Sequence, residues 1–345
     1  YLDAWYLVDA KTIGSTVVLK FCDASGERIT EVEDSEYEPY FLIPYPLSER
    51  DKYTVERIVG KVSTVQKHDL FSNKTKTLAK VTVRNPENVE SFSKLFENVW
   101  ENEIEFSRGY VYDHDLVFGS QYALEGNDFT PILGVSKQIG KNFEVVFAEV
   151  KKTDPQKYKM LEYWFNLCHQ PTPQIQPEKL GIREKLDPKR RQIVFMLSRI
   201  ANIPIPEAYS SRHVSDWIKS IIYTYLRKND ILTPTSKELR RGGVLKRSVE
   251  GALTIAPKSG VYFSTVVTDF ESLYPSVIDS YNLSYETVDC EHEECRKNTV
   301  SGVNHHVCTK RRGFYSVLTG ALKDLRIHWF KPLSKNSSIP EAERH

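Results

Sequence analysis

The part of the sequence that most constrains the fold is the stretch from Thr268 to Ser276, which reads TDFESLYPS. It follows the apolar run Val261–Val267, whose aromatic and β-branched residues predict a buried strand. A carboxylate at the end of a strand, here Asp269, is held rigidly, as a metal ligand must be. Pro275 is typical of the first turn of a helix, whose free N–H groups attract an anion. The stretch therefore predicts a ligand for a hard cation beside a phosphate site, which metal-assisted phosphoryl transfer needs.

An aspartate before a helix is also common as an ordinary N-cap, so the chemistry alone leaves both interpretations open. The string itself, Asp-Phe-x-Ser-Leu-Tyr-Pro-Ser, resembles the first palm motif of family B DNA polymerases. Asn282–Asp289 is similar to the segment after this motif in crenarchaeal-type archaeal polymerases. The resemblance also includes Glu38–Phe41 in the N-terminal domain and two helices that lead into the palm, Phe195–Ile200 and Trp217–Lys219. It touches most of the chain, but it is dense only from Arg190 onward.

The resemblance implies a role for each residue of this motif. Asp269 would be the catalytic carboxylate and a Mg²⁺ ligand, with the Phe270 carbonyl as a second oxygen ligand. The backbone N–H groups of Ser272, Leu273 and Tyr274 would hold the nucleotide triphosphate. The Tyr274 ring would lie under the sugar and exclude a 2′-hydroxyl, with a packing aromatic as the alternative. The implied reaction is template-directed addition of deoxynucleotides with two Mg²⁺ ions.

Basic residues are the next candidates for ligand contacts, because a net charge of +1 gives no overall attraction to nucleic acid. Arg326 resembles the fingers arginine that contacts the triphosphate, and Lys323 lies on the same face of the predicted helix. A solvated helix face is the alternative for this pair. Contact with primer–template DNA is predicted for a cluster before the palm strand, whose glycines let the backbone approach a phosphate. The cluster consists of Arg240, Arg241, Gly242, Gly243, Lys246 and Arg247.

Two further motifs of these polymerases do not occur in the sequence. One is the Tyr-x-Asp-Thr-Asp-Ser hairpin with a second catalytic Asp, and the other is the Lys-x3-Asn-Ser/Ala-x-Tyr-Gly helix that holds the nucleotide. Two-metal catalysis needs carboxylates on both sides of the metal pair, and this sequence offers one side. We therefore expect no polymerisation by the chain alone, and completion by a second polypeptide. A piece of one longer enzyme is the alternative, which the sequence does not separate from a natural split.

A proofreading exonuclease is not expected either. The nearest equivalent of its Asp-x-Glu strand is Phe143–Lys151, for which we predict a strand, but Lys151 stands where the second carboxylate is needed. Asp34 and Glu36 have the right spacing, but they lie in a polar turn and are interpreted as solvated charges. The family's Tyr-x-Gly-Gly/Ala motif, which balances editing against synthesis, appears as Val249–Ala252 without its aromatic residue.

Three of the five cysteines belong to a further candidate site, a thiolate-rich structural zinc site. The candidate ligands are Cys290, Cys295, Cys308, His305 and His306, with His292 also nearby. Because the spacing is irregular, a disulfide and free thiols in a loop stay open as alternatives. The odd number of cysteines argues against the disulfide framework of a secreted protein.

The predicted fold class is α+β, resembling a family B polymerase. Short β-like runs with one helix over Val89–Trp100 predict a β-rich beginning, and a last amphipathic helix carries Leu318, Leu322, Leu325 and Trp329. The predicted parts are an N-terminal β-rich domain (1–125), a degenerate or deleted exonuclease region and linker (126–188), a helical palm-entry segment (189–243), a partial palm with the first motif and the Cys/His insertion (244–315), and the first fingers helix (316–345).

Composition is that of a globular protein, with 40% hydrophobic and 27% charged residues and no apolar run near the ~20 residues of a membrane span. We expect a cytoplasmic, nucleoid-associated polymerase part that binds primer–template DNA, deoxynucleotides, Mg²⁺ and a second polypeptide, with a sliding clamp as a further partner. The rival hypothesis is a catalytically inactive, polymerase-derived DNA-binding or scaffold subunit. The missing exonuclease favours this rival, whereas the intact Asp269 and Tyr274 argue against it.

Overall fold

The computed structural model describes residues 3–58, 60–132, 134–182, 187–210, 214–239 and 255–336. The chain divides into two compact units. The first contains residues up to Thr233 and from Asp324 onward, and the second contains Pro234–Lys323. Strands and helices are both present, so the predicted α+β class is confirmed.

The described residues contain eight strands, all in the first unit. They are β1 (Trp5–Ile13), β2 (Thr16–Asp23), β3 (Ile29–Asp34), β4 (Tyr40–Pro44), β5 (Lys61–Asp69), β6 (Lys74–Thr82), β7 (Gln121–Glu125) and β8 (Asp128–Pro131). They form two antiparallel sheets, ordered β3-β2-β1-β7-β8 and β4-β6-β5. The tight turn between β1 and β2 begins with Gly14 at φ 61°, a conformation that a hairpin turn requires and glycine adopts readily. The predicted β-rich beginning is thereby confirmed.

Thirteen α-helices lie in the described residues. They are α1 (Glu49–Arg57), α2 (Asn88–Ser93), α3 (Phe106–Asp113), α4 (Lys137–Val146), α5 (Ala148–Thr153), α6 (Pro155–Cys168), α7 (Pro188–Ala201), α8 (Ile205–Ser210), α9 (Val214–Lys228), α10 (Ser236–Leu239), α11 (Leu273–Ser280), α12 (Phe314–Asp324) and α13 (Lys331–Lys335). Short 3₁₀ helices span Pro177–Leu180 and Glu293–Lys297, and a π-helical segment spans Leu325–Phe330.

The helix predicted over Val89–Trp100 is shorter in the structure, where α2 ends at Ser93. Trp100 instead pairs with Leu42 of β4 through two backbone hydrogen bonds of 3.0 and 2.9 Å. A residue that exchanges ladder bonds with a strand cannot also continue a helix, because each backbone N–H and C=O is already engaged. The prediction was wrong at this end because the tertiary contact decides the conformation.

The strand predicted over Phe143–Lys151 was also wrong, since α4 and α5 occupy these residues. The Ser136 hydroxyl caps α4 by accepting the Ile139 N–H at 3.3 Å. Phe143 and Phe147, one helical turn apart, are both buried, and the Phe143 ring stacks on Phe165 with 4.2 Å between centroids. The four-residue spacing of Phe143 and Phe147 therefore places both rings on the helix face that packs on α6.

The helical segment predicted from residue 189 is confirmed as α7–α10 over its described residues. Phe195 of its predicted apolar face is fully buried, whereas Ile218 is 44% exposed. Arg199 of α7 is only 2% exposed, and its guanidinium donates to three backbone carbonyl oxygens at 2.6–2.8 Å. This buried arginine ties α7 to the loops before β7 and after α6, since an unpaired guanidinium there would be costly.

The apolar face of the last predicted helix is buried at the three positions Leu318, Leu325 and Trp329. Within the first unit, the Trp329 ring packs edge-on against Phe165, and its indole N–H donates to His169 Nε2 at 3.2 Å. In the part of the chain that the structure describes, no helix has both the length and the apolar character to cross a membrane.

Candidate functional site

The run before Asp269, predicted to be a buried strand, is exposed and forms no strand. Val261, Phe263 and Val267 are 82%, 87% and 88% exposed. A strand needs a neighbouring strand for its backbone hydrogen bonds, and the second unit contains none among its described residues. The residues are of types that favour strands, but the described part of the second unit contains no strand with which they could pair.

Asp269 and the residues after it are accessible at the start of α11. Asp269 is exposed, and one of its carboxylate oxygens accepts the Phe270 N–H at 2.8 Å. Tyr274 is 74% exposed. Ser272 precedes the helix with φ 54°, and its side chain makes no capping hydrogen bond. Pro275 lies in the first turn of α11, as predicted. A ligand can therefore approach the motif from solvent.

Asp269 by itself fits only part of a two-metal site. Such a site needs carboxylates on both sides of the metal pair. Over the described residues, the one group of three or more His, Cys, Asp or Glu side chains with closely spaced ligand atoms does not include Asp269. Asp269 thus supplies one of the several carboxylates that a pair of Mg²⁺ ions needs.

The opposite end of α11 is anchored by a buried aspartate that sequence reasoning missed. Asp279 is 6% exposed and accepts a hydrogen bond from Lys323 Nζ at 2.9 Å. The Arg312 guanidinium pairs with the same carboxylate and also donates to the Asp279 carbonyl at 2.8 Å. A Cβ at Gly320 would lie 2.5 Å from the carboxylate, so only glycine lets α12 approach here. Lys323 is therefore engaged in a structural ion pair.

Four side chains of the second unit converge on one point: Cys290, His292, Cys295 and Cys308. Their ligand atoms all lie within 4.8 Å of one another. All three cysteines are free thiols, and they are 7%, 0% and 3% exposed. The Cys308 Sγ lies 3.4 Å from Nδ1 of His292. These residue types at this spacing are the ligand set of a soft, tetrahedral metal ion.

Short backbone pairings bring the cysteine-bearing segments together. Val288 bridges to Val307, and Thr299 bridges to His306, both antiparallel. Cys295 lies on the 3₁₀ helix Glu293–Lys297, directly after His292. The three cysteines make up a buried cluster of their own, with no aliphatic or aromatic member. The three sulfur-bearing side chains are therefore buried together, next to the buried Val307.

Hydrogen bonds reach the sulfur of Cys295 from its neighbour Thr309. The Thr309 hydroxyl lies 3.5 Å from Sγ, and the Thr309 N–H donates to it at 3.4 Å. These hydrogen bonds favour the thiolate and lower the pKa of Cys295 to about 6. Desolvation acts in the opposite direction on Cys290 and raises its pKa to about 11.

The histidine of this cluster is His292, and the two predicted zinc ligands His305 and His306 lie outside it. His305 Nδ1 is 2.7 Å from a carboxylate oxygen of Asp289, and His306 Nε2 is 2.9 Å from the backbone oxygen of Cys290. Both rings are thus directed to oxygen partners. The His-x2-Cys spacing of His292 and Cys295 is the sequence signal for the right histidine, because two intervening residues keep both side chains on one turn.

The remaining predicted site residues are only partly described by the structure. The predicted DNA-binding residues at 240–247 and the Val249–Ala252 segment lie outside the described residues. Arg326 is exposed on the π-helical segment. The predicted site residues are therefore described only around the motif, the Cys/His cluster and Arg326.

A second buried charge network, in the first unit, was not found from the sequence. Arg227 of α9 and Glu101 are 3% and 0% exposed in their side chains and 3.1 Å apart. The Arg227 guanidinium also contacts Asp113 and the Tyr40 hydroxyl. Tyr40 belongs to the Glu38–Phe41 segment, so this motif contributes to a network that ties β4 to α3 and α9. The network closes one side of a cavity of 620 Å³.

Comparisons with known proteins point to the same family as the Asp269–Ser276 motif. Residues 207–325 match the family model described as DNA polymerase family B. The chain is 35% identical over 164 residues to DNA polymerase 1 of Sulfurisphaera ohwakuensis, an alignment that covers 44% of this chain and 19% of the relative. It is 33% identical over 162 residues to DNA polymerase 1 of Aeropyrum pernix, covering 44% and 17%. The aligned part spans less than a fifth of these relatives.

The fold is also similar to a solved structure. It matches the family B DNA polymerase from the hyperthermophilic archaeon Pyrobaculum calidifontis with a TM-score of 0.63 and 16% identity. The match covers 99% of this chain and 65% of that one. At this level of identity the likeness shows the fold.

Proposed function

We propose that the chain is an N-terminal region of an archaeal, crenarchaeal-type family B DNA polymerase, and so part of a template-directed DNA polymerase; the family match at 207–325 and the two archaeal relatives support this. The enzyme adds deoxynucleotides to a primer by two-metal catalysis. The observation that carries the proposal is the Asp269–Ser276 string, which lies inside the family match at 207–325 and is open to solvent. An intact motif on an accessible helix start is what a binding site for a triphosphate needs.

Five residues of the motif have proposed roles that are consistent with their local structure. Asp269 and the Phe270 carbonyl provide one side of the Mg²⁺ site. The N–H groups of Ser272, Leu273 and Tyr274 bind the triphosphate, since the backbone N–H groups at a helix start point toward an anion that the helix dipole favours. The exposed Tyr274 ring excludes a 2′-hydroxyl. When bound, Mg²⁺ would activate the primer 3′-oxygen and stabilise pyrophosphate.

The remaining contacts come from basic side chains. Arg326 is exposed and binds the triphosphate, and the cluster at 240–247 contacts the primer–template backbone without reading its sequence. A sliding clamp is a further partner. We also propose that the enzyme does not proofread. The helical conformation of Phe143–Lys151 and the turn that Asp34 caps, by accepting the Glu36 N–H at 2.8 Å, support this.

A second polypeptide completes the site. One carboxylate cannot hold both metals, and the exposed apolar run at 261–267 has the composition of a strand without its neighbour. The completing polypeptide carries the Tyr-x-Asp-Thr-Asp-Ser hairpin, the nucleotide-binding helix and the thumb. Covalent continuation of this chain would satisfy the same needs.

The test is primer extension in Mg²⁺ with and without a polypeptide that contains these motifs. The chain alone should extend no primer, and the mixture should extend it. Asp269→Ala should lower extension by the mixture roughly 10³-fold or more, as loss of a group at the centre of a reaction does. Glu271→Gln, a matched change of a neighbouring exposed carboxylate, should leave extension unchanged.

The outcomes separate the two functions. Extension that survives Asp269→Ala would remove this residue from the catalytic centre. A mixture that binds primer–template but never extends it would favour the scaffold subunit. Degradation of single-stranded DNA by the purified mixture, lost on mutation of this chain, would contradict the absence of proofreading.

A further inference from the structure

We propose that Cys290, His292, Cys295 and Cys308 bind one Zn²⁺ in a closed structural site. This proposal does not depend on the proposed polymerase activity, so either one can fail while the other holds. It lies in the segment that joins α11 to α12, so it fixes the connection between the helix of the motif and the next helix of the same unit.

The spacing of the ligand atoms is that of a tetrahedral zinc site. Zn–S bonds of ~2.3 Å and Zn–N bonds of ~2.0 Å at tetrahedral angles place neighbouring S and N atoms roughly 3.5 Å apart. The Cys308 Sγ and His292 Nδ1 are 3.4 Å apart, and all four ligand atoms lie within 4.8 Å of one another. Three sulfurs and one imidazole nitrogen complete the four ligands, so no position is left for a substrate.

The buried side chains of the segment also suit such an ion. Its buried cluster consists of the three cysteines, with Val307 as a buried aliphatic neighbour, and short bridges hold the backbone around them. A small segment with so little aliphatic core is ordinarily stabilised by a disulfide or a metal. A disulfide would use only two of the four converging groups, whereas zinc uses the three thiols and His292 together.

The surroundings of the ligands also suit a bound thiolate. Thr309 donates its N–H to the Cys295 sulfur at 3.4 Å, and its hydroxyl is 3.5 Å away. Donors to the sulfur orient a metal-bound thiolate and disperse its charge. His305 and His306 are engaged by Asp289 and by the backbone oxygen of Cys290, which leaves His292 as the imidazole ligand.

Zinc analysis of the full chain tests the proposal directly. Chain purified without chelator should contain one Zn²⁺, and native mass spectrometry should show its mass with loss of the ligand protons. After removal of zinc, added Co²⁺ should give thiolate charge-transfer bands and the intense d–d bands of a tetrahedral ion. An iron–sulfur chromophore in the purified chain would overturn the assignment to zinc.

Ligand variants separate this site from other cysteine roles. Cys295→Ser and His292→Ala should lose the bound metal, and His292→Cys should recover it, because four thiolates also bind zinc. Cys168→Ser, a buried free thiol elsewhere, and His305→Asn should keep one zinc per chain. Zinc content that follows His305 instead of His292 would overturn the ligand set.

Two further results would overturn the proposal even if a variant fails to fold. One is a metal-free native chain with a mass deficit of two protons that reduction restores, which is a disulfide. The other is wild-type chain that gives no tetrahedral Co²⁺ spectrum at equimolar metal, which is a cluster of ordinary thiols.

Discussion

Two segments of the second unit, on either side of α11, behave in opposite ways. The apolar run at 261–267 has the stronger secondary-structure pattern, yet it is exposed and unpaired. The segment from 287 to 308 has a weak and irregular pattern, yet its cysteines are buried and its backbone is bridged. The difference lies in where the partners are: the cysteine segment closes on itself, whereas a strand needs an edge from another part of a protein.

The largest expected effect concerns zinc, because removing it tests whether the cysteine segment really closes on itself. Structural zinc stabilises small peptides by roughly 10 kcal/mol or more, far beyond what three buried thiols contribute. Chelation should therefore speed hydrogen exchange of the Asp289 and Cys308 amides by about 10³-fold or more. Amides at 261–267 serve as the internal control and should not change, since they are already unpaired.

Hydrogen–deuterium exchange with mass spectrometry measures both segments in one sample. If zinc is removed completely and the amides at 287–308 stay protected, the segment holds without metal and the contrast between the two regions has another cause.

The next effect compares two aspartates near the ends of α11. Asp279 is buried against Lys323 and Arg312, so Asp279→Asn leaves two cations without their counter-charge. We expect a loss of about 3–5 kcal/mol in the free energy of unfolding of this unit. Asp269→Asn, at an exposed position, should change it by less than about 0.5 kcal/mol.

Urea denaturation followed by a probe within the second unit gives these values. Equal stability of the two variants would show that the Asp279 ion pairs contribute little, and the anchor of α11 would have to be sought in its apolar contacts.

A smaller effect is expected for Tyr274→Ala in the completed enzyme. Removing the ring opens space beneath the sugar without touching the Asp269 carboxylate or the helix N–H groups. Discrimination against ribonucleotides should fall roughly 100-fold, which corresponds to about 2.7 kcal/mol. Tyr281→Ala, a similarly exposed tyrosine just after the end of α11, is the matched control.

Competition between deoxy- and ribonucleotides in primer extension measures this ratio. If Tyr274→Ala and Tyr281→Ala discriminate equally well, the gate lies elsewhere on the completed enzyme.

Sequence reasoning succeeded where the structure depends on neighbours in the chain. The β-rich beginning, the helices from residue 189 and the first turn at Pro275 follow from short-range patterns, and all are present. It failed where a distant contact decides, as at Trp100, which pairs with Leu42, and at Phe143, which packs on α6. The motif was recognised because its sequence string is long. The conformation of the apolar run before it was predicted wrongly, because the pairing of a strand depends on a partner strand elsewhere in the fold.

The same limit applies to the polar clusters. Asp279, Arg312 and Lys323 are far apart in the chain, and nothing local marks them as partners. The cysteines were recognised by their chemistry, whereas the choice of His292 depended on which ring the backbone turns inward. Patterns therefore identify residue types that a site needs, and the tertiary fold selects among them.

The smallest effect on the isolated chain, and the sharpest test of the contrast, is Val266→Asp. Val266 is 83% exposed, so the change should alter the free energy of unfolding by less than about 0.5 kcal/mol. In the completed enzyme the same residue would lie in a strand, where a buried unpaired charge is strongly unfavourable. Binding of the second polypeptide, measured by calorimetry, should weaken at least about tenfold, and primer extension should fall with it. Ser259→Asp adds the same charge just before the run and should leave polypeptide binding and primer extension unchanged.

If Val266→Asp binds and extends like the unmodified chain, the apolar run is not the missing strand, and the completing polypeptide must dock elsewhere. If it destabilises the isolated chain instead, the run already packs on this unit, and the two segments differ less than their exposure indicates.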